Sequence, residues 1–268
     1  MKFKLSTPEN NTFVNESFLW DFLENKILPT FNEVAHNGIR NMFNKNLFEI
    51  NIIVNKCQNN SKIIYDFGCG TGINLMILSS VFGFKCFGID RGEEFSETHN
   101  RQVGNLNQLE SRLKSFGVTF LKLDPTAKVD LDVKADVVTS FDVIEHFPFS
   151  PKLYLKNMFN ALKSDGFMVV GTPNQTHFYN RLKILFDKNI WEDFDYWYES
   201  DSFYGHVREL TSSELIKIPT LMKLKNIKLF SSSYPLIYRL KSRILFEFFN
   251  KIFSLFNLNY YNVVISNK

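Results

Sequence analysis

Ile63-Ile64-Tyr65-Asp66-Phe67-Gly68-Cys69-Gly70-Thr71-Gly72 carries an apolar, β-type run into an acid and then through three glycines at alternate positions. An amphipathic segment, Ile73 to Phe82, follows. Glycine lets the backbone turn sharply and leaves no Cβ between it and a ligand. A strand that hands a glycine turn to a helix is how an open α/β sheet holds a nucleotide-like molecule at its carboxyl edge. The next apolar run, Lys85-Cys86-Phe87-Gly88-Ile89-Asp90, also ends in an acid. A carboxylate about 20 residues past the glycines is placed to accept hydrogen bonds from two ribose hydroxyls.

Outward from this stretch, strand and helix signals alternate. Strands are predicted at 62–66, 85–90, 118–123, 135–140 and 166–171, with helices at 72–82, 94–115 and 151–163. Such alternation implies an α/β fold: a parallel sheet with helices on both faces. Thr211-Ser212-Ser213-Glu214 reads as a capping box opening a helix through about Leu221. A sixth strand is expected at 226–231, an apolar helix from Pro235 to Phe256, and a last strand at 260–266. The first sixty residues read as helical, with Phe18, Leu19, Phe22, Leu23 and Ile27 at helical spacing and Pro29 as an interruption. Residues 176–209 are too long for an ordinary connection.

At 268 residues the chain can bury a sizeable core as one domain with elaborations. Its net charge of +3 is spread without like-charge runs, which argues against a nucleic-acid partner. Cys57, Cys69 and Cys86 lack metal-ligand spacing, so no metal is expected, and isolated cysteines suit a reducing, cytoplasmic compartment. Met1-Lys2-Phe3-Lys4 is not followed by an apolar signal core, and no segment is long and apolar enough for a bilayer span. The bias toward Phe, Asn, Lys and Ile suggests an AT-rich bacterial genome.

Between Gly68 and Gly72 the spacing is G-x-G-x-G, not the G-x-G-x-x-G of dinucleotide binders. Preceded by Asp66, it resembles the first motif of the class I S-adenosylmethionine-dependent methyltransferases. The resemblance continues through Asp124, through Asp136 to His146, and through Leu162 to Asn174. It implies a Rossmann-like seven-stranded sheet, mostly parallel, with an antiparallel last strand beside the sixth. It also implies one domain (1–268) made of an N-terminal helical cap (1–60), a cofactor core (61–175), a substrate lid (176–210) and C-terminal helices and strands (211–268). S-adenosylmethionine would be the methyl donor and S-adenosylhomocysteine the product. Asp66 would orient the turn and the methionyl amino group, although a strand-end Asp can merely cap a turn. Gly68 and Gly70 would allow close approach, Gly72 tight helix packing, and Cys69 would fill space. Asp90 would bind the ribose, with Arg91 beside it as a competing partner. Asp124 would accept from the adenine amino group. Pro125 has no N–H, so the adenine ring-nitrogen contact comes from Thr126 or Ala127 or is absent. Phe141 completes the cofactor set.

The loop Ser140 to His146 follows the fourth strand, where substrates meet the cofactor. It lacks the Asn-Pro-Pro-aromatic pattern of base-methylating enzymes. Glu145 and His146 could act as general bases on a hydroxyl, or could be structural, with His146 holding the loop. Segment 176–209 interleaves Trp191, Phe194, Tyr196, Trp197, Tyr198, Phe203 and Tyr204 with Glu192, Asp193, Asp195, Glu199 and Asp201. Aromatic faces with carboxylates suit a sugar ring or a cationic amine; the bland alternative packs the aromatics inward and leaves the acids in solvent. Gly205 to Thr211 resembles a His-x-Arg-x-x-(Ser/Thr) signature of ubiquinone-biosynthesis-like and glycan-cluster methyltransferases. That resemblance makes His206 a candidate base and gives Arg208 a substrate carboxylate or phosphate, unless Arg208 pairs with Glu209 or Asp201. Tyr196, Tyr204, Arg208 and Asn174 are the expected acceptor contacts. The basic amphipathic helix near Leu236 to Phe256 is read as core or homodimer contact before peripheral contact with anionic lipid. The expected reaction is O-methylation of a sugar or sugar-nucleotide precursor of a bacterial surface glycan, capsule or O-antigen. A quinone-type phenol or a small amine is the alternative acceptor, and a cofactor-binding scaffold without turnover the non-enzyme alternative.

Overall fold

The computed structural model describes residues 2–6, 13–57, 59–92, 106–200, 203, 205–234 and 243–268. The chain opens with two short antiparallel strands, β1 (Lys2–Ser6) and β2 (Phe13–Asn15), where only helix was expected. Five and three residues are too few for a two-residue period to stand out against the helical pattern behind them. Asn15 then caps α1 (Glu16–Phe22), its side chain accepting the Phe18 N–H. A π-helical turn, Leu23–Ile27, and a 3₁₀ turn, Leu28–Thr30, carry the chain around Pro29 into α2 (Glu33–Lys56). Leu19, Leu23, Ile27, Phe43, Leu47, Ile50 and Ile53 of these helices are fully buried.

Then β3 (Ile63–Phe67), α3 (Ile73–Ser80), β4 (Lys85–Asp90), α4 (Leu106–Ser115), β5 (Val118–Lys122), β6 (Ala135–Phe141), α5 (Lys152–Ala161) and β7 (Leu162–Pro173) alternate as the pattern requires. The part of the expected 94–115 helix before residue 106 lies outside the described residues. Strand β7 begins four residues before Gly166, which was read as a strand start. A Cβ at Gly166 would stand 2.9 Å from the Asp136 carbonyl oxygen, so this glycine serves close strand packing. Beyond β7 come α6 (Phe178–Leu185), α7 (Phe194–Glu199), α8 (Ser212–Leu221), β8 (Lys225–Ser232), α9 (Arg243–Leu255) and β9 (Tyr261–Asn267).

The large sheet has seven strands in the order β5-β4-β3-β6-β7-β9-β8. Strand β3 pairs in parallel with both β4 and β6, β4 in parallel with β5, and β9 antiparallel with β8. This is the Rossmann-like, mostly parallel sheet with the last strand inserted beside the sixth. The expected capping box is present at α8: Thr211 Oγ1 accepts the Glu214 N–H and Glu214 Oε2 accepts the Thr211 N–H.

Packing divides the chain into two compact units. The first holds Met1–Ser140, Leu153–Val169 and Lys268; the second holds Phe141–Lys152 and Val170–Asn267. The glycine turn belongs to the first unit, and the lid segment and both candidate histidines to the second.

Candidate active site

In the first unit, β3 delivers Asp66 to the turn. The Gly68 N–H donates to the Ile89 carbonyl at 2.7 Å, which fixes the turn against the end of β4. Gly70 and Gly72 both take left-handed backbone, φ 49° and 72°, which L-residues with a Cβ rarely adopt. A Cβ at Gly70 would meet nothing within 4 Å, so the turn presents bare backbone to open space. A Cβ at Gly72 would collide with Leu113, so this glycine serves helix packing, against α4. Cys69 is buried, with Sγ 2.7 Å from where a Gly88 Cβ would stand, as expected of a packing residue.

Asp90 ends β4 with its carboxylate divided between two amides: Oδ2 accepts the Gly70 N–H and Oδ1 the Gly92 N–H, each at 3.2 Å. Burial raises its pKa, opposed by these amides and by the charge of Arg91, whose own side chain is exposed. Asp66 is buried and accepts the Thr139 hydroxyl at 2.7 Å. Burial, followed by the like charges of Glu49 and Asp90, pushes it up to about 7 against the Thr139 bond and Lys45. Glu49 and Lys45 come from α2, and Glu49 accepts Asn74 Nδ2 at 2.6 Å. These three residues were not singled out from sequence. Their signal was a polar stripe of Lys45 and Glu49 within an apolar helix face that includes Leu47, Ile50 and Ile53.

Asp124 closes on its own turn. Its Oδ1 accepts the Thr126 N–H at 2.8 Å and the Thr126 hydroxyl at 2.6 Å, and its carbonyl takes the Ala127 N–H at 3.1 Å. Both N–H groups proposed for an adenine nitrogen are therefore engaged internally, because Pro125 folds the chain back on Asp124. Asn157 Nδ2 locks the turn from α5, donating to the carbonyls of Pro125 and Ala127.

In the second unit, Phe141 is half-buried and packs where a Gly171 Cβ would stand. The chain then forms the 3₁₀ turn Ile144–His146. The Glu145 side chain is in a residue 0% exposed, and its carbonyl accepts the N–H groups of Val207 and Arg208 at 2.8 and 2.9 Å. His146 is exposed, with Nδ1 3.2 Å from the Gly205 carbonyl. The rings of His146 and His206 lie 4.9 Å apart, edge to face. Two residues 60 positions apart in sequence thus meet ring to ring.

His206 Nδ1 is 2.7 Å from Glu209 Oε1. Burial draws its pKa down, but the Glu209 bond and the charges of Glu145, Glu209 and Glu192 outweigh it, and the net shift is upward. Arg208 pairs with neither Glu209 nor the described acids of the lid: its Nη2 donates to Glu214 Oε1 at 2.8 Å, with the side chain 69% exposed. Asp201 and Tyr204 lie outside the described residues. Asn174, expected as an acceptor contact, is held within its own loop in this structure. It is fully buried, its Nδ2 donates to the carbonyls of Asn257 and Asn259, and its Oδ1 accepts from Thr176.

The lid aromatics do not turn inward: Phe194 is 63%, Trp197 55% and Tyr198 69% exposed. Tyr196 is exposed too, with its ring 5.9 Å from Phe203. Helix α9 likewise leaves Ile244, Phe248 and Leu255 exposed, while Phe253 stacks on Phe178 at 5.0 Å. Leu236, Ile237 and Leu240 lie outside the described residues. No helix among the described residues is long and apolar enough to cross a membrane.

A cavity of about 380 Å³ in this unit is lined by His177, Trp191, Glu192, His206, Glu209 and Tyr260, among others. A second, of about 370 Å³, shares Trp191, Glu192 and His206 and adds Phe194, Trp197 and Phe203. His177 is buried and uncharged near neutral pH, since burial drives its pKa down to about 4. Its Nδ1 has no hydrogen-bond partner among the described residues. Its ring lies 4.7 Å from that of Tyr260. His177 and Tyr260 carried no local sequence signal; they meet only through the fold.

Comparison with known proteins gives the arrangement its context. Residues 40–222 match a family model described as a methyltransferase domain. No curated protein sequence matches the chain. Among solved structures, the chain resembles a Thermotoga maritima S-adenosylmethionine-dependent methyltransferase, described as a possible histamine N-methyltransferase. Identity is 15% over 93% of this chain and 99% of that one, with a TM-score of 0.54. It resembles the magnesium protoporphyrin IX methyltransferase of Synechocystis, solved with S-adenosylhomocysteine, at 14% identity over 95% and 100% of the two chains, TM-score 0.53. A Haemonchus contortus phosphoethanolamine N-methyltransferase shares 16% identity over 92% of this chain and 59% of its own, TM-score 0.52. At these identities the solved structures speak for the fold, and the family match for the chemistry.

Proposed function

We infer the acceptor from the premise that this chain belongs to the methyltransferase-domain family and is an S-adenosylmethionine-dependent methyltransferase: the methyl group goes to a hydroxyl of a sugar-type ring. The observation that carries this reading is the cavity lined by His177, Glu192, His206, Glu209, Trp191 and Tyr260. Aromatic faces suit the C–H face of a saturated ring, and carboxylates accept from its hydroxyls. His177 adds a buried, uncharged imidazole whose Nδ1 needs a polar partner. Lys183, which also lines the cavity, suits a phosphate on the same molecule, as in a nucleotide-sugar precursor of a surface glycan.

S-adenosylmethionine supplies an activated methyl on a good leaving group, so the protein's tasks are alignment and exclusion of water. The residues of the first unit fit that cofactor. Bare backbone at Gly70 admits the methionine moiety, Asp90 matches a vicinal diol, and Asp66 matches an ammonium group.

Release of S-adenosylhomocysteine from a panel of free sugars, nucleotide sugars, small amines and phenols tests the acceptor. Turnover with hydroxylated sugars or their nucleotides is expected. Turnover confined to amines or to phenols would overturn the reading.

The Asp66 assignment has its own signature. With its pKa near 7, Asp66 is largely protonated at pH 6 and largely ionised at pH 8. An ammonium ligand prefers the carboxylate, so affinity for S-adenosylhomocysteine is expected to rise about tenfold across this interval. Asp66→Asn should flatten the rise. A flat profile in the unaltered protein would refute an ammonium contact at Asp66.

A further inference from the structure

We propose that Glu145, His146 and His206 bind a divalent cation of the zinc class, and that this cation holds the acceptor hydroxyl. The inference rests on the hydroxyl-acceptor reading and deepens it. One ligand atom from each of the three residues lies within 4.8 Å of the others, a spread that short side-chain motions close onto one ion with bonds of about 2.1 Å.

Both imidazoles have an oxygen at Nδ1. Nδ1 of His206 is held by Glu209 at 2.7 Å, and Nδ1 of His146 faces the Gly205 carbonyl at 3.2 Å. An oxygen acceptor at Nδ1 places the proton there, the tautomer in which Nε2 carries the lone pair a metal takes. Glu209 and Gly205 thus act as orienting partners, behind the ligands. The backbone adds a tie, because the Glu145 carbonyl accepts the N–H groups of Val207 and Arg208, the two residues that follow His206. Glu145, Glu192 and Glu209 all act on His206 with negative charge, a field that favours a cation.

The donor set selects the ion. Two imidazoles and a carboxylate suit zinc, iron(II) or manganese(II) better than magnesium or calcium, which prefer oxygen sets. Three protein ligands leave at least one position open, and one of them, His206, lines the two cavities described in this unit, the side from which an acceptor oxygen would approach. An ion there lowers the pKa of the hydroxyl it holds. The hydroxyl proton leaves to water and its oxygen bonds to the methyl carbon. The carbon–sulfur bond breaks with its electron pair kept by sulfur, giving the methyl ether and S-adenosylhomocysteine.

The test uses the full, untagged chain, stripped with a chelator and titrated with Zn²⁺ by calorimetry and with Co²⁺ by visible absorption, without any acceptor. One ion per chain is expected, with ligand-field bands for Co²⁺. Affinity should fall at least ~100-fold in His146→Ala and in His206→Ala, and about 10- to 100-fold in Glu209→Gln. His146 is exposed, so its variant should fold even if one at buried Glu145 does not; a thermal melt in chelator checks this. Absence of saturable uptake, or uptake unchanged in His146→Ala, overturns the proposal. Because no acceptor is present, that failure leaves the sugar reading standing, and a failed acceptor panel leaves the metal result standing.

Discussion

Asp90→Ala is expected to weaken S-adenosylhomocysteine binding by at least ~100-fold. Each carboxylate oxygen of Asp90 already accepts one amide, from Gly70 and Gly92, at 3.2 Å. Those bonds aim the carboxylate, whose two oxygens match the two hydroxyls of a ribose. Two hydrogen bonds to a charged group contribute about 1.5–3 kcal/mol each, and 1.4 kcal/mol is a factor of ten in affinity. Alanine would also leave the Gly70 amide without its acceptor, at a point of the turn where the backbone faces open space. Asp90→Asn keeps one acceptor oxygen and should fall between, at about tenfold. Calorimetry on the three proteins, with circular dichroism as the folding control, reads the series. Unchanged binding in Asp90→Ala would remove Asp90 from the ribose site.

The contrast between Asp90 and the lid shows what a sequence can carry. The glycine turn and both strand-end acids were legible because their geometry is local. A strand of five residues, a turn and a helix fix Asp66 and Gly68 to Gly72 relative to one another, and parallel pairing of β3 with β4 adds Asp90. The capping box at Thr211 was legible for the same reason. The partner of Arg208 was not. Glu214 lies six residues on, across a helix N-terminus, and meets Arg208 only once α8 turns it back. The partners of Asn174 were not legible either: its amide donates to the carbonyls of Asn257 and Asn259, over 80 residues away, and nothing near it in sequence announces them. The lid aromatics were open to two readings because composition leaves the direction of a side chain undetermined. Their exposure decides against an inward-packed helix, and it places Trp191, Phe194 and Trp197 on cavity walls.

His206→Ala is expected to lower the rate of methyl transfer at least ~100-fold while leaving S-adenosylhomocysteine affinity within about twofold. The imidazole belongs to the wall of both lid-unit cavities, whereas the cofactor-binding candidates Asp66, Gly70 and Asp90 belong to the other compact unit. The loss should therefore fall on kcat for the acceptor reaction. Glu209 controls the orientation of His206 through the 2.7 Å contact at Nδ1, so Glu209→Gln should cost less, about tenfold, because an amide oxygen can still hold that nitrogen. A purely structural imidazole predicts a different order. In that case His206→Asn, which keeps a polar group of similar reach beside Glu209, would recover most of the rate. Recovery is not expected, since the working group is the far nitrogen, Nε2, which asparagine does not supply. Single-turnover rates for His206→Ala, His206→Asn and Glu209→Gln separate the two cases. Near-normal rates in His206→Ala would mean that the hydroxyl is activated elsewhere, and His177, buried and uncharged on the same cavity wall, would be the next residue to replace.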